Sequence, residues 1–333
     1  MTSSNSEPRA LSEFALIAKL FAPLAADSEG AFGLKDDAAT LRLPPGEELV
    51  VTVDALVEGV HFLRDDPAEL IAKKALRVNL SDLAAKGAQA GHYLLALSLP
   101  DWVGDAWLTR FAAGLAEDQT RYGVTLLGGD TTATPGPLTI SITALGSIPA
   151  GRMLRRAGAR PGDVVFVSGT IGDAGAGLEV LQGKTSALSA DAREYLIQRY
   201  RLPEPRLALG RALVGIASAA LDVSDGLIAD LGHIAEVSGV HIVIDAPLVP
   251  LSGELVSLWG TGTDGLLRAA TAGDDYELAF TAAPAARAAV AHAARSSGVA
   301  AWEIGRVESG AGVEVTDETG RAIAVDRPGF THF

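Results

Sequence analysis

With 41 acidic against 27 basic residues, a formal net charge of −14 and no Lys/Arg-rich tract, this 333-residue chain lacks the electrostatic footprint of a nucleic-acid binder. It has no cysteine, which removes disulfides, thiolate metal sites and cysteine nucleophiles. Hydrophobic residues make up 48% and aromatic ones only 5%, so a soluble core built from Ala, Leu and Val is expected, in roughly two domains.

No apolar run reaches the roughly 18–20 residues of a membrane span, and the polar stretch Met1 to Arg9 has no signal-like apolar core, so a cytoplasmic protein without membrane contact is expected. Residues 1 to about 10 read as a frayed tail, and Leu11 to Phe21 as a helix. A first acidic loop follows at Lys35-Asp36-Asp37, then a hairpin (Leu41–Leu43 and Leu49–Val53) around Pro44-Pro45-Gly46, its second strand ending in Asp54. Pro67 opens a helix to Ala85 that carries Asn79 and Asp82 on one face. A strand (His92–Leu99), a helix (Trp102–Tyr122) and a short strand (Val124–Leu127) lead into a loop, Gly128-Gly129-Asp130-Thr131-Thr132. After a strand to Ile148, the Pro/Gly/Arg-rich stretch 149–162 reads as a domain boundary, dividing the chain into 1–149 and 150–333. The second half mixes strands and helices again, and one strand ends in Asp222-Val223-Ser224-Asp225-Gly226 before a helix with apolar Leu227, Leu231 and Ile234. The class is α/β or α+β.

Two glycine-rich stretches are decoys. Gly183-Lys184-Thr185 has five residues after Gly177, where a P-loop needs four, and it follows a helix instead of opening one. The glycines from 169 to 177 do not form G-x-G-x-x-G and read as a strand-to-helix turn. No histidine pair has zinc-ligand spacing, and no G-x-S-x-G elbow is present.

The acidic residues carry the chemistry. Asp36, Asp37, Asp54, Asp82, Asp130, Asp222, Asp225, Asp274 and Asp275 lie mostly at strand ends or in Gly-rich turns. Two such charges 4 Å apart repel by about 4 kcal/mol at an effective dielectric near 20. Magnesium relieves that repulsion, binding one or two carboxylates and filling its shell with water and phosphate. Few basic residues lie nearby, chiefly Lys35, Arg155 and Arg156, so phosphate would be met mainly by metal, which points to phosphoryl transfer.

Seven stretches in order, Gly33-x-x-Asp36-Asp37-Ala38-Ala39, Val53-Asp54 with Gly59-Val60-His61-Phe62, Asn79 to Ala85, Gly128 to Thr132, Asp222 to Leu227, Gly273-Asp274-Asp275-Tyr276-Glu277-Leu278 and Gly329 to Phe333, resemble the thiamine-monophosphate kinase family. The resemblance implies a two-domain fold of the aminoimidazole ribonucleotide synthetase type. Residues 1–149 would bind ATP and magnesium and pair through their sheets in a homodimer, residues 150–333 would form a C-terminal α/β domain, and ATP would bind between the two. It implies ATP-dependent phosphorylation of thiamine monophosphate, with several Mg²⁺ ions and no general base. Carried over by position, Asp37, Thr52, Val53, Asp54, Asp82, Asp130, Asp222 and Asp225 would be metal ligands. Tyr122, Gly129, Asp130, Arg156 and Ser224 would bind nucleotide, and His61, Asp274 and Phe330 the thiamine phosphate. Three positions depart from the family pattern: Asp274 where Glu is common, Val53 where a hydroxyl residue is frequent, and Phe330 in place of Trp or Tyr. Another ATP-using enzyme of the superfamily and a non-catalytic nucleotide- or metal-binding scaffold are the alternatives.

Overall fold

The computed structural model describes residues 11–184 and 188–331. The expected N-terminal tail, Thr185 of the tripeptide decoy, and His332 and Phe333 of the last motif lie outside the described residues. The chain forms two compact units: residues up to Leu83 with Gln89–Ala150, and Ala84–Ala88 with everything from Gly151 onward.

In the first unit, α1 (Glu13–Leu16) starts under a cap in which Ser12 Oγ accepts from the Ala15 amide. The helix expected to run to Phe21 changes character first, passing into a π turn (Ile17–Phe21) and a 3₁₀ turn (Ala22–Ala25). Pro23 has no N–H with which to continue the ladder. Then come β1 (Glu47–Val57), α2 (Ala68–Ala85), β2 (Gln89–Leu99), α3 (Asp105–Tyr122), β3 (Thr125–Ala133) and β4 (Thr139–Pro149). The sheet order is β1-β4-β2-β3, antiparallel except for the parallel pair β2–β3, which α3 connects. Alternation along the strands buries Val50 and Leu56 of β1, Tyr93, Leu95 and Leu97 of β2, and Ile140 and Ile142 of β4. Leu49, Val51 and Val53 of β1 stay exposed, at 42%, 54% and 59%.

Two expectations fail here. No hairpin forms at Pro44-Pro45-Gly46: residues 41–43 are not a strand, and β1 pairs with β4, some ninety residues later in the chain. Two adjacent prolines remove two amide donors from the approach to the turn, and a three-residue arm cannot compete with an eleven-residue ladder. The Gly128–Thr132 stretch is not a loop but the body of β3, in parallel register with Leu94 to Ser98. A side chain at position 129 would place its Cβ 1.9 Å from the Leu95 carbonyl oxygen, so glycine is what allows this strand to close on β2.

The second unit contains β5 (Val164–Ser168), α4 (Asp173–Leu181), α5 (Ala190–Arg201), α6 (Leu207–Leu213), β6 (Ala219–Asp222), α7 (Leu227–Ser238), β7 (His241–Asp245), α8 (Gly253–Trp259), α9 (Thr263–Ala270), β8 (Leu278–Ala282), α10 (Arg287–Ser297), β9 (Ala301–Glu308), β10 (Gly312–Thr316) and β11 (Ala322–Ile323). Its seven-stranded sheet runs β11-β10-β7-β9-β5-β8-β6, with β7–β10 parallel and the other pairs antiparallel. Helices cover both faces. Val165, Val167 and Leu221 face Leu227, Leu231 and Ile234 of α7, whereas Val164, Phe166 and Phe280 face Leu209 and Leu213 of α6 and Val290 of α10. Covered on both faces, β5 and β8 are buried at every position instead of at alternate ones. The chain is a two-domain α/β fold, as expected.

Candidate active site

The first unit holds two acidic patches. At one, the alternation of β1 puts Thr52 and Asp54 on the same face, toward α2. The Thr52 hydroxyl donates to Asp82 Oδ2, and the Asp54 amide donates to Asn79 Oδ1 at 3.0 Å. The expected i, i+3 pair on α2 therefore meets Asp54, which is not the strand end expected but lies inside β1, whose ladder with β4 carries the strand on to Val57. Val53 points the other way and its apolar side chain offers no ligand. His61 sits in the turn just beyond β1; its Nδ1 accepts from the Val57 amide at 3.0 Å, which places the proton of the neutral ring on Nε2.

At the other patch, Asp36, Asp37, Gly129, Asp130 and Thr131 line a cavity of about 310 Å³ with an apolar wall that includes Phe21, Leu34, Leu95 and Leu126. The Asp37 amide turns back onto Asp36 Oδ1 at 2.8 Å, and the Thr131 amide onto Asp130 Oδ1 at 2.9 Å. Ladder partners run from Asp54 through Ile142 and Leu95 to Gly129, so the two patches sit on opposite edges of the four-stranded sheet. At about 4.8 Å per strand they are about 14 Å apart. Tyr122 ends α3, with the guanidinium groups of Arg77 and Arg121 5.5 and 5.3 Å from its ring centre.

In the second unit, strand, acidic turn and helix follow as the sequence suggests: β6 ends at Asp222 and α7 begins at Leu227. The turn between them gathers three motifs. Its Val223, Ser224 and Asp225 carbonyls accept from the amides of Tyr276 (2.8 Å), Asp274 (2.8 Å) and Phe330 (2.9 Å). Asp222, Ser224, Asp225, Asp274 and Phe330 thus belong to one locale. Asp274 and Tyr276 have left-handed backbones, at φ 72° and 51°. Asp enters that region more readily than Glu, a local reason for the shorter residue at 274. Arg156 is exposed, and its carbonyl accepts from the Ser238 hydroxyl at the end of α7.

Sequence reasoning missed Asp230 altogether, and it named Asp275 and Glu277 without the partners that let them hold this locale together. Asp230, 2% exposed, receives the amides of Ser224, Asp225 and Gly226 on one carboxylate oxygen. Burial pushes its carboxyl up to about 7, against the pull of those amides. The only signal was an acidic residue four positions into a helix, placed to reach back as in a capping box. Asp275 accepts from the Gly172 amide at 2.6 Å and the Ala174 amide at 3.3 Å, and burial raises its carboxyl well above the ordinary range. Glu277 accepts from the Ser168 hydroxyl (2.5 Å), Arg206 Nε (2.7 Å) and an Arg199 guanidinium nitrogen (2.9 Å).

Among the described residues no three His, Asp or Glu side chains form a ready-made cage for an ion. Magnesium does not need one, because it binds through one or two carboxylates and completes its shell with water and substrate phosphate. The donors at each patch of the first unit, Thr52, Asp54 and Asp82 at one and Asp37 and Asp130 at the other, are all hard oxygens. The residues fit such an ion at more than one place.

Residues 35–148 match the family described as AIR synthase related protein, N-terminal domain, and residues 160–318 its C-terminal domain. The chain is 43% identical over 324 residues to thiamine-monophosphate kinase of Caulobacter vibrioides, covering 96% of this chain and 90% of that one. It is 42% identical over 326 residues to the Escherichia coli K12 enzyme, covering 97% and 99%. The structure resembles the crystal structure of thiamine-monophosphate kinase from Stenotrophomonas maltophilia K279a, with TM-score 0.83 and 43% identity over 94% of this chain and 98% of that one. It also resembles AaThiL complexed with AMPPCP and TMP, with TM-score 0.77 and 34% identity over 97% of each chain. Motifs, fold and similarity along nearly the whole length agree, and the chain belongs to the thiamine-monophosphate kinase family.

Proposed function

We propose that the protein transfers the terminal phosphoryl group of ATP to thiamine monophosphate, giving thiamine diphosphate and ADP. The observation that carries this reading is the joining of Ser224, Asp225, Asp274 and Phe330 by main-chain hydrogen bonds into one locale, in a chain similar to kinases of that name over almost all its length. The acceptor is already an anionic phosphate oxygen, so attack on the terminal phosphorus needs no strong base. The bond to the bridging oxygen breaks as the new one forms, in line and without a phosphoenzyme.

Asp37, Thr52, Asp54, Asp82 and Asp130 of the first unit, and Asp222 and Asp225 of the second, are proposed to hold magnesium, with Val53 limited to its main-chain carbonyl. Bound magnesium supplies the positive charge that this acidic chain lacks. Gly129 and Asp130 line the cavity of the first unit, and with Tyr122, Arg156 and Ser224 they are assigned to the nucleotide. His61 would donate from Nε2 to the phosphorylated thiamine, Asp274 would contact it directly or through water, and the Phe330 ring would stack on it. A homodimer belongs to the same proposal, paired through the four-stranded sheets, where β1 is an edge strand among the described residues and exposes Leu49, Val51 and Val53. So does a cytoplasmic location. Among the described residues no helix is long and apolar enough to cross a membrane.

The test is chromatography of the purified chain after incubation with ATP, thiamine monophosphate and Mg²⁺. Equal amounts of thiamine diphosphate and ADP are expected, and Asp54→Asn and Asp130→Asn each lower kcat by about 10²-fold or more. Absence of the diphosphate would refute the activity. Full turnover in both variants would refute the metal assignment, and a phosphorylated enzyme that passes its phosphate to thiamine monophosphate would refute direct transfer.

A further inference from the structure

The turn from Val223 to Gly226 is gripped from both sides. On one side, Asp230 Oδ2 takes the amides of Ser224, Asp225 and Gly226 at 3.0, 3.0 and 3.2 Å. With these donors turned onto the carboxylate, the peptide planes send the carbonyls of Val223, Ser224 and Asp225 the opposite way, where Tyr276, Asp274 and Phe330 dock by their amides. The docking is close. A Cβ on Gly273 would lie 2.6 Å from the Ser224 carbonyl oxygen, and one on Gly329 would lie 2.5 Å from that of Asp225. Both segments therefore read the orientation of the turn's peptides directly, with no side chain as cushion.

We propose that Asp230 is a positioning residue for the thiamine-phosphate site: its buried carboxylate sets the 223–226 peptides, and these in turn seat Asp274 and Phe330. The proposal rests on the assignment of those two residues to the substrate. Asp230 itself is 2% exposed and acts only through backbone. A displacement of about 1 Å at a substrate contact is enough for a large loss of rate. Since all three bonds converge on one oxygen, an amide carbonyl in the same place can preserve them in weakened form, whereas a methyl group cannot.

The test compares Asp230→Ala, Asp230→Asn and, as a control on the same helix, Ile234→Ala, which opens the core beneath the turn but removes none of the turn's hydrogen bonds. Hydrogen–deuterium exchange is followed in peptides covering 222–230, 272–278 and 327–331, and kcat/KM for thiamine monophosphate is measured well below each variant's melting temperature. The expected result is faster exchange in all three peptides for Asp230→Ala, with kcat/KM down at least about tenfold and Asp230→Asn recovering most of both. Faster exchange confined to 222–230, or the same pattern in Ile234→Ala at equal loss of stability, overturns the proposal. Faster exchange in all three peptides with kcat/KM unchanged leaves the mechanical link standing and overturns the reading of Asp274 and Phe330 as substrate contacts.

Discussion

Glu277 is buried and charged, and two arginines make that tolerable. Burial pushes its carboxyl up, but Arg206, through its hydrogen bond and its charge, together with Arg199 and Ser168, outweighs it and holds the group below its ordinary 4.5. A carboxyl that ionises more readily folded than unfolded stabilises the fold above the unfolded value and loses that contribution as pH falls through the folded one. Glu277→Gln is therefore expected to cost about 3 kcal/mol near neutrality. Its stability should also fall less steeply than the wild type's below about pH 4.5, in urea titrations repeated across that range. Tyr93 is the opposite case: its hydroxyl is fully buried and has no partner among the described residues. Tyr93→Phe should be neutral or raise stability by about 1 kcal/mol, read in the same titrations. Neither residue's role could be read from the sequence. Glu277 stood in a motif, but Arg199 and Arg206 lie some seventy residues away in the chain, and only the fold brings them to it.

At the scale of elements, what could be read depended on how locally each element is determined. The strand, turn and helix around Asp222 to Leu227 follow from their own residues. The strand nature of Gly129 and Asp130 does not, because it is imposed by the ladder with β2, and two glycines followed by an acidic residue look like a loop. The same cause misplaced the hairpin, since the partner of β1 is distant in sequence. The close approach at Gly129 yields a prediction. Gly129→Ala must part β3 from Leu95, which should cost about 1–3 kcal/mol and lower the melting temperature, with a loss of nucleotide affinity measurable by calorimetry. The alternating exposed Leu49, Val51 and Val53 on β1 yield another. Val51→Lys places a charge in the proposed sheet-to-sheet contact, and the light-scattering mass should drop to that of a monomer.

The whole molecule carries a net charge of −14 and is proposed to hold two phosphorylated substrates, ATP and thiamine monophosphate. Charge of that sign repels its own substrates unless cations intervene. ATP with Mg²⁺ is expected to raise the melting temperature, by the equivalent of about 2.7 kcal/mol at a hundredfold excess over Kd. ATP with a chelator should give almost no shift, and a scanning-fluorimetry titration separates the two. The acidic set could be recognised in sequence through its ordered motifs, but the separation of its first-unit members into two patches about 14 Å apart could not. That separation depends on strand order, which the residues themselves do not reveal.

The left-handed backbones at Asp274 and Tyr276 put part of the proposed substrate site in tension with the chain's own preferences. Glycine would rest comfortably at φ 72°. Asp274→Gly should therefore melt higher, by roughly 1 kcal/mol, while losing grip on thiamine monophosphate. A sturdier protein that is a poorer catalyst would mark this bend as a place where comfort has been surrendered for use.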